Sequence, residues 1–218
     1  MINVAAIVPA YNEEKTIADV VTTLRQSPLV QEVIVVSDGS TDATETLAAA
    51  AGARVIALSQ KGGKGAAMLR GLTHTDAQTI LFADADLIGF TPAHVEQLLL
   101  PVLSGARTMN VGLRDRGSLM TAIGRSLPLI GGERAMRRTV IEQIPPHFLQ
   151  GYMVESALNY FCRSRQLSYG SVILHGLTIR RKYEKVGWKE GLKQYGKMWR
   201  QVASAMVRVR FARLVGKF

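Results

Sequence analysis

An α/β domain on a mostly parallel sheet, with helices on both faces, is the fold that this 218-residue sequence predicts. Three observations predict it. The first hundred residues alternate strand-length apolar runs with segments of helical periodicity. The runs are apolar throughout rather than alternating, the mark of strands covered on both faces. Acid-rich stretches follow the runs directly, where such sheets bind ligands, beyond the carboxyl ends of their strands.

The elements follow in order. "NVAAIVPA" (3–10) is an apolar run with β-branched residues, the first strand. In "EEKTIADVVTTLRQS" (13–27), Ile17, Val20, Val21 and Leu24 fall at helical spacing. "EVIVVSD" (32–38) is a second buried strand. "DATETLAAAAG" (42–52) is an alanine-rich helix that Gly52 can close. "ARVIALS" is a third strand and "GKGAAMLRGLTH" a third helix. "TILFADAD" (79–86) is a fourth strand, and "TPAHVEQLLLPVL" a helix with Pro92 at its start. Beyond Gly105 the rhythm changes. Residues 106–115 read as a strand, and 116–150, rich in Gly, Pro and Arg, as loop with a short helix. A helix at 151–165 and a strand at 169–176 precede a basic helical tail. The expected organisation is one domain over 1–181, divided into a first half (1–105) and a second half (106–181), with the tail at 182–218.

Composition narrows the function classes. Hydrophobic residues make up 47%, enough for a sizeable core, and the net charge of +10 favours anionic partners. One cysteine, Cys162, excludes an internal disulfide and predicts a cytoplasmic setting. The N-terminal residues lack the shape of a signal peptide, and no stretch reaches the roughly 18 apolar residues of a membrane span. The charge concentrates in the tail with no nucleic-acid motif beside it, so nucleic acid is not an expected partner.

The chemistry gathers in three post-strand stretches, "PAYNEE", "SDGSTDAT" and "DADL". In the second, Gly39 permits a turn, and Ser40, Thr41 or Asp42 would cap the next helix with Glu45 as capping-box partner. Asp38 stands one residue past the strand, where an acceptor can meet a base edge or a ribose hydroxyl. Asp84 and Asp86 flank one small residue. Side chains at i and i+2 share a strand face, so the two carboxylates can converge, and a divalent cation would relieve their repulsion. "QKGGKGAAMLRG" opens a helix with Lys61 and Lys64, which can meet an anion there. It is not a Walker loop, because Leu58 stands at the first glycine position and Gly65 follows Lys64. No G-x-G-x-x-G follows the first strand, so ATPase and NAD readings lose support.

The order and spacing of "VPAYNEEKTI", "VIVVSDGSTDAT", "KGGKGAAMLRGL" and "ILFADADL" resemble family 2 glycosyltransferases of the GT-A fold. The likeness is specific over 3–88 and looser over 89–180. The stretch "DADLIGFTPAHVEQLLLPVL" and the following "GGE" also resemble glucosyl-3-phosphoglycerate synthases, and polyprenyl-phosphate sugar transferases resemble the first half about equally well. The resemblance implies a nucleotide-diphosphate sugar donor, UDP- or GDP-linked, with Mg²⁺ or Mn²⁺. It implies that Pro9, Ala10, Tyr11 and Glu13 line base and ribose, and that Asp38 contacts the base. Lys64 would lie near base or diphosphate, Asp84 at ribose or metal, Ala85 in the ribose pocket and Asp86 on the metal. Gly132, Glu133 and Arg134 resemble an acceptor loop. Arg180 and Arg181 match a basic loop over the diphosphate, and His175 matches in position a histidine that completes the metal site. Glu155 falls where inverting members place a general base. A carboxylate favoured by a helix N-terminus explains Glu155 as well, and if the acceptor is itself a phosphate it needs no base.

In the tail, Trp188, Leu192, Tyr195, Trp199, Val202, Met206 and Val209 share one helical face, with lysines and arginines off it. Such a helix suits the interface of an anionic membrane. Residues 188–217 are therefore expected to touch the inner membrane face peripherally. Packing on the domain and a homodimer contact are the alternatives. The main expectation is thus a sugar transferase acting on a lipid phosphate or other membrane-associated acceptor. The alternatives are transfer to a small soluble phosphorylated acceptor and a non-catalytic adaptor of the same fold. A nucleotidyltransferase would want a basic Gly-rich loop after strand one, where the acidic "PAYNEE" stands.

Overall fold

The computed structural model describes residues 3–115, 131–149 and 153–179. Its strands are β1 (Val4–Ala10), β2 (Glu32–Ser37), β3 (Arg54–Ala57), β4 (Thr79–Phe82), β5 (Leu87–Ile88), β6 (Met109–Arg114), β7 (Arg134–Arg137), β8 (Tyr169–Leu174) and β9 (Thr178–Ile179). The helices are α1 (Ile17–Gln26), α2 (Thr44–Ala50), α3 (Lys64–Leu72), α4 (Pro92–Leu103), α5 (Arg138–Glu142) and α6 (Met153–Ser164), with a 3₁₀ turn at Pro146–Phe148. Seven strands form one sheet in the order β3-β2-β1-β4-β7-β6-β8, and β5 pairs with β9 in a separate ribbon.

The sheet is mostly parallel, as expected, and its apolar strands bury both faces. Along β1, Val4, Ala6, Val8 and Ala10 enter the core beneath α1, α2 and α4. Ala5 and Ile7 enter the opposite core, beneath α3, α5 and α6. This is the period-two alternation of a strand with helices on both sides. Thr91 caps α4 by accepting the His94 N–H at 3.4 Å, and His94 Nδ1 accepts the Thr91 N–H at 3.3 Å. Pro92 occupies the first turn, where its missing N–H costs nothing.

Three expectations need correction. The stretch 116–150 is not all loop and short helix. Arg134–Arg137 forms β7, antiparallel to both β4 and β6 at the middle of the sheet. Flanking charges hide this strand from a periodicity reading, because only Ala135 and Met136 are apolar. The fourth strand ends at Phe82 rather than running to 86, and β5 follows as its own short element. Glu45 does not complete a capping box, since its carboxylate accepts the Ser37 hydroxyl at 2.7 Å. Asp42 does meet the start of α2, accepting the Thr44 N–H at 3.0 Å. Burial would raise the Asp42 pKa, but its hydrogen bonds with Thr44 and Glu14 outweigh that and hold it below the ordinary value.

The reversed β7 has a positional consequence. β1, β2, β3, β4, β6 and β8 all run one way, so their carboxyl ends share one edge. β7 runs the other way, so its beginning, at Glu133 and Arg134, reaches that same edge. Among the described residues no helix is long and apolar enough to cross a membrane. The basic tail lies outside the described residues.

Candidate nucleotide-sugar site

The shared edge carries a chain of alternating charges. Lys64, the first residue of α3, places Nζ 2.7 Å from Asp84 Oδ1 and 3.3 Å from Glu155 Oε1. Asp84 Oδ2 lies 3.5 Å from Arg114 Nη2, which reaches Glu133 Oε1 at 3.1 Å. Arg134 is fully buried and donates from Nη2 to the Gly131 carbonyl at 2.5 Å. Each residue sits at a strand end or a helix start, which is why residues so distant in sequence meet.

The charges tune one another. Burial disfavours the Lys64 ammonium, but Asp84 and Glu155 reverse that and push its pKa above the ordinary value. Burial likewise works against the Asp84 carboxylate, and Lys64 and Arg114 together hold it below the usual range. Glu133 goes the other way. Its burial and the negative charge of Asp84 raise it, although Arg114 pulls it down. Glu133 Oε2, Arg114 Nε and Arg134 Nη1 are buried with no hydrogen-bond partner among the described residues. Such atoms are satisfied by water or by a ligand's polar atoms.

Asp84, one of the two carboxylates expected to converge on a cation, meets two protein cations. Lys64 and Arg114 neutralise Asp84. Gly132 fixes it further, since a Cβ there would lie 2.1 Å from Asp84 Oδ2. Asp86, half-buried, is the remaining carboxylate of the motif. Ala85 is buried, and its carbonyl accepts the Thr16 hydroxyl at 2.8 Å, tying this segment to the turn after β1. In that turn Pro9 is half-buried, Ala10 buried and Tyr11 41% exposed. The Lys61 ammonium lies 3.3 Å above the Tyr11 ring centroid. The Glu13 N–H donates to Thr44 Oγ1 at 2.8 Å.

Asp38 stands just past β2, at the carboxyl edge of the sheet. It is 4% exposed, and its two oxygens accept the N–H groups of Gly62 and Gly63 at 2.6 and 2.8 Å. The side chain anchors the Gly-rich loop that leads into Lys64. Glu155 lies in the first turn of α6, as expected, but its carboxylate faces the Lys64 ammonium. His175 sits in the turn between β8 and β9, 75% exposed, with Nδ1 2.9 Å from Asp115 Oδ2. Arg180 and Arg181 lie outside the described residues.

Sequence reasoning missed Arg114 and Asp115. Both stand where β6 ends, so the strand-end rule that singled out Asp38 and Asp84 could have found them.

The family model described as glycosyl transferase family 2 matches residues 5–162. The chain belongs to this family. Glucosyl-3-phosphoglycerate synthase of Mycolicibacterium smegmatis is 35% identical over 190 residues, covering 71% of this chain and 62% of that protein. Its curated relatives are thus matched over about three-fifths of their length. The glucosyl-3-phosphoglycerate synthase of Mycobacterium tuberculosis, solved with Mg²⁺ and UDP, superposes with a TM-score of 0.79 at 29% identity. The match covers 95% of this family 2 chain and 79% of the mycobacterial one. The same enzyme solved with Mn²⁺, UDP-glucose and phosphoglyceric acid superposes with a TM-score of 0.79 at 31% identity over the same shares. The fold is the GT-A arrangement that the sequence motifs imply.

Among the described residues no group of three or more His, Cys, Asp or Glu side chains converges to hold a metal. One carboxylate with one imidazole fits a divalent cation that takes its other ligands from diphosphate oxygens, the usual habit of Mg²⁺, and imidazole suits Mn²⁺.

Proposed function

We propose that this family 2 protein transfers a sugar from a UDP-linked donor to a small acceptor carrying phosphate or carboxylate. The observation that carries the reading is the Lys64–Asp84–Arg114–Glu133 chain of charges beside Asp86, at the carboxyl edge of the sheet. The motif-bearing turns supply the donor side. Pro9, Ala10, Tyr11, Glu13 and Ala85 line the nucleoside, with Asp38 holding the loop that shapes its floor. Lys64 lies at the N-terminus of α3, where its ammonium and the helix dipole favour a diphosphate. Asp86 and His175 would hold Mg²⁺ or Mn²⁺. When bound, the cation supplies Lewis acidity and orients the diphosphate. Arg180 and Arg181 are assigned to the same phosphates.

Gly132, Glu133 and Arg134 form the acceptor side. Arg134 and Arg114 each keep a buried N–H group without a partner among the described residues, a setting that suits an anionic acceptor. Glu155, paired with Lys64, orients the groups between donor and acceptor. This reverses the preference for a membrane-associated acceptor drawn from the tail. The support is that the related chains are named glucosyl-3-phosphoglycerate synthases, one of them solved with UDP-glucose and phosphoglyceric acid.

The test is transfer from radiolabelled UDP-glucose, with Mn²⁺ or Mg²⁺, to 3-phosphoglycerate or to a polyprenyl phosphate in detergent. Metal-dependent labelling of phosphoglycerate supports the reading. Labelling of the polyprenyl phosphate alone overturns the acceptor assignment. UDP release with neither acceptor, or no UDP binding, overturns the assignment more deeply.

A further inference from the structure

The His175 turn is held from three sides. His94, buried on α4, accepts the Thr91 N–H at Nδ1, so its proton sits on Nε2 and donates to the His175 carbonyl at 2.9 Å. Gly89, just past β5, lies so close that a Cβ there would stand 2.7 Å from the Gly176 carbonyl. The β5–β9 ladder pairs Leu87 with Ile179 and Ile88 with Thr178, tying the turn to the segment that begins with Asp86. The backbone of His175 is thereby fixed against the segment that follows the acidic motif. Its ring would still be free to rotate and to exchange tautomers, and Asp115 removes that freedom. Asp115 Oδ2 lies 2.9 Å from His175 Nδ1, an N–H donating to a carboxylate. Asp115 directly follows Arg114, and Arg114 feels the charge of Asp86, so β6 delivers both a cation to the acidic motif and an anion to the histidine.

A neutral imidazole that donates from one nitrogen presents a lone pair on the other. Metal-ligating histidines commonly donate their second nitrogen to a carboxylate, which fixes tautomer and ring orientation and raises ligand basicity. We infer that Asp115 is a positioning residue that holds His175 in the Nδ1–H tautomer and directs Nε2 outward as a ligand for a divalent cation. The inference rests on the reading of His175 as a metal ligand and adds a residue outside every motif that suggested it.

The experiment titrates Mn²⁺ into the full chain with saturating UDP and follows free Mn²⁺ by electron paramagnetic resonance. Asp115→Ala, Asp115→Glu, His175→Ala and Asp86→Ala are compared with the parent, and circular dichroism checks the fold. In parallel, long-range ¹H–¹⁵N spectra of the metal-free protein report the His175 tautomer, with His175→Ala assigning its signals. Asp115→Ala should weaken Mn²⁺ binding about 10- to 100-fold, the usual cost of losing such a carboxylate. It should also move the Nε2 signal away from the lone-pair position, and Asp115→Glu should restore both. If His175→Ala weakens binding while Asp115→Ala leaves affinity and tautomer unchanged, the role of Asp115 is overturned and the metal site stands. If Asp86→Ala weakens binding but His175→Ala does not, the metal role of His175 fails, and that of Asp115 with it. If Asp86→Ala also binds Mn²⁺ like the parent, the proposed function fails too.

Discussion

Lys64 Nζ stands 2.7 Å from Asp84 Oδ1, a contact between the first residue of α3 and the acidic motif beyond β4. It converts a carboxylate that would compete for a cation into an internal counter-charge. It also ties the start of α3 to the sheet edge, while Asp38 holds the Gly-rich loop just before it.

Replacing Lys64 by Met removes the counter-charge of two partly buried carboxylates. Breaking a buried pair costs about 3–5 kcal/mol, and the 29% exposure of the Lys64 side chain reduces this to about 2 kcal/mol. Urea unfolding should show that loss. Lys64→Met combined with Asp84→Asn should recover part of it. Strictly additive losses in the double variant would mean that the two residues are not energetically coupled.

Asp86→Ala should leave the thermal midpoint near that of the parent, because Asp86 sits half-buried at the rim rather than in the core. Metal-dependent transfer should fall at least about 100-fold, reflecting several kcal/mol of lost charge stabilisation. Retained turnover would remove the metal assignment.

Gly132→Ala places a methyl group where the Asp84 carboxylate now lies, 2.1 Å from Oδ2. Lys64 and Arg114 hold that carboxylate, so it cannot simply swing aside. Destabilisation of about 1–3 kcal/mol is expected, together with weaker UDP binding by calorimetry. A variant as stable and as tight-binding as the parent would mean that Asp84 is not held as described.

Cys162 is buried within α6, and burial pushes its thiol from the ordinary 9.0 up to about 11. The thiol stays neutral in the native protein at pH 8, so a thiol reagent should label it slowly there and rapidly in urea. The sign of the linkage follows from the raised value. This group's contribution to stability is complete below pH 9 and is lost as pH rises through about 11. Rapid native labelling at pH 8 would contradict the burial.

By itself, the sequence determined the first half of the molecule. Unbroken apolar runs can be satisfied only between two layers of helices, and polar residues just past such runs can gather only at one edge. β1, β2 and β4 with their turns were therefore legible, as were Asp38, Lys64, Asp84 and Asp86 as a group. Their partnerships were not. Whether Asp84 meets a cation or an ammonium depends on how close α3 comes to β4, and no spacing rule carries that distance. That Asp38 also holds Gly62 and Gly63 is a contact across 24 and 25 residues that no local pattern shows. β7 was invisible because a four-residue strand with arginine at both ends has no period to detect. Its pairing comes from neighbours already in place, and its reversed direction carries Glu133 and Arg134 to the site. Arg114, Asp115 and His94 likewise gain their meaning only through residues 19 to 81 positions away, brought near by the sheet. Local pattern encodes which faces are buried, while the chemistry of this site lives in long-range contacts that only the packed structure brings together.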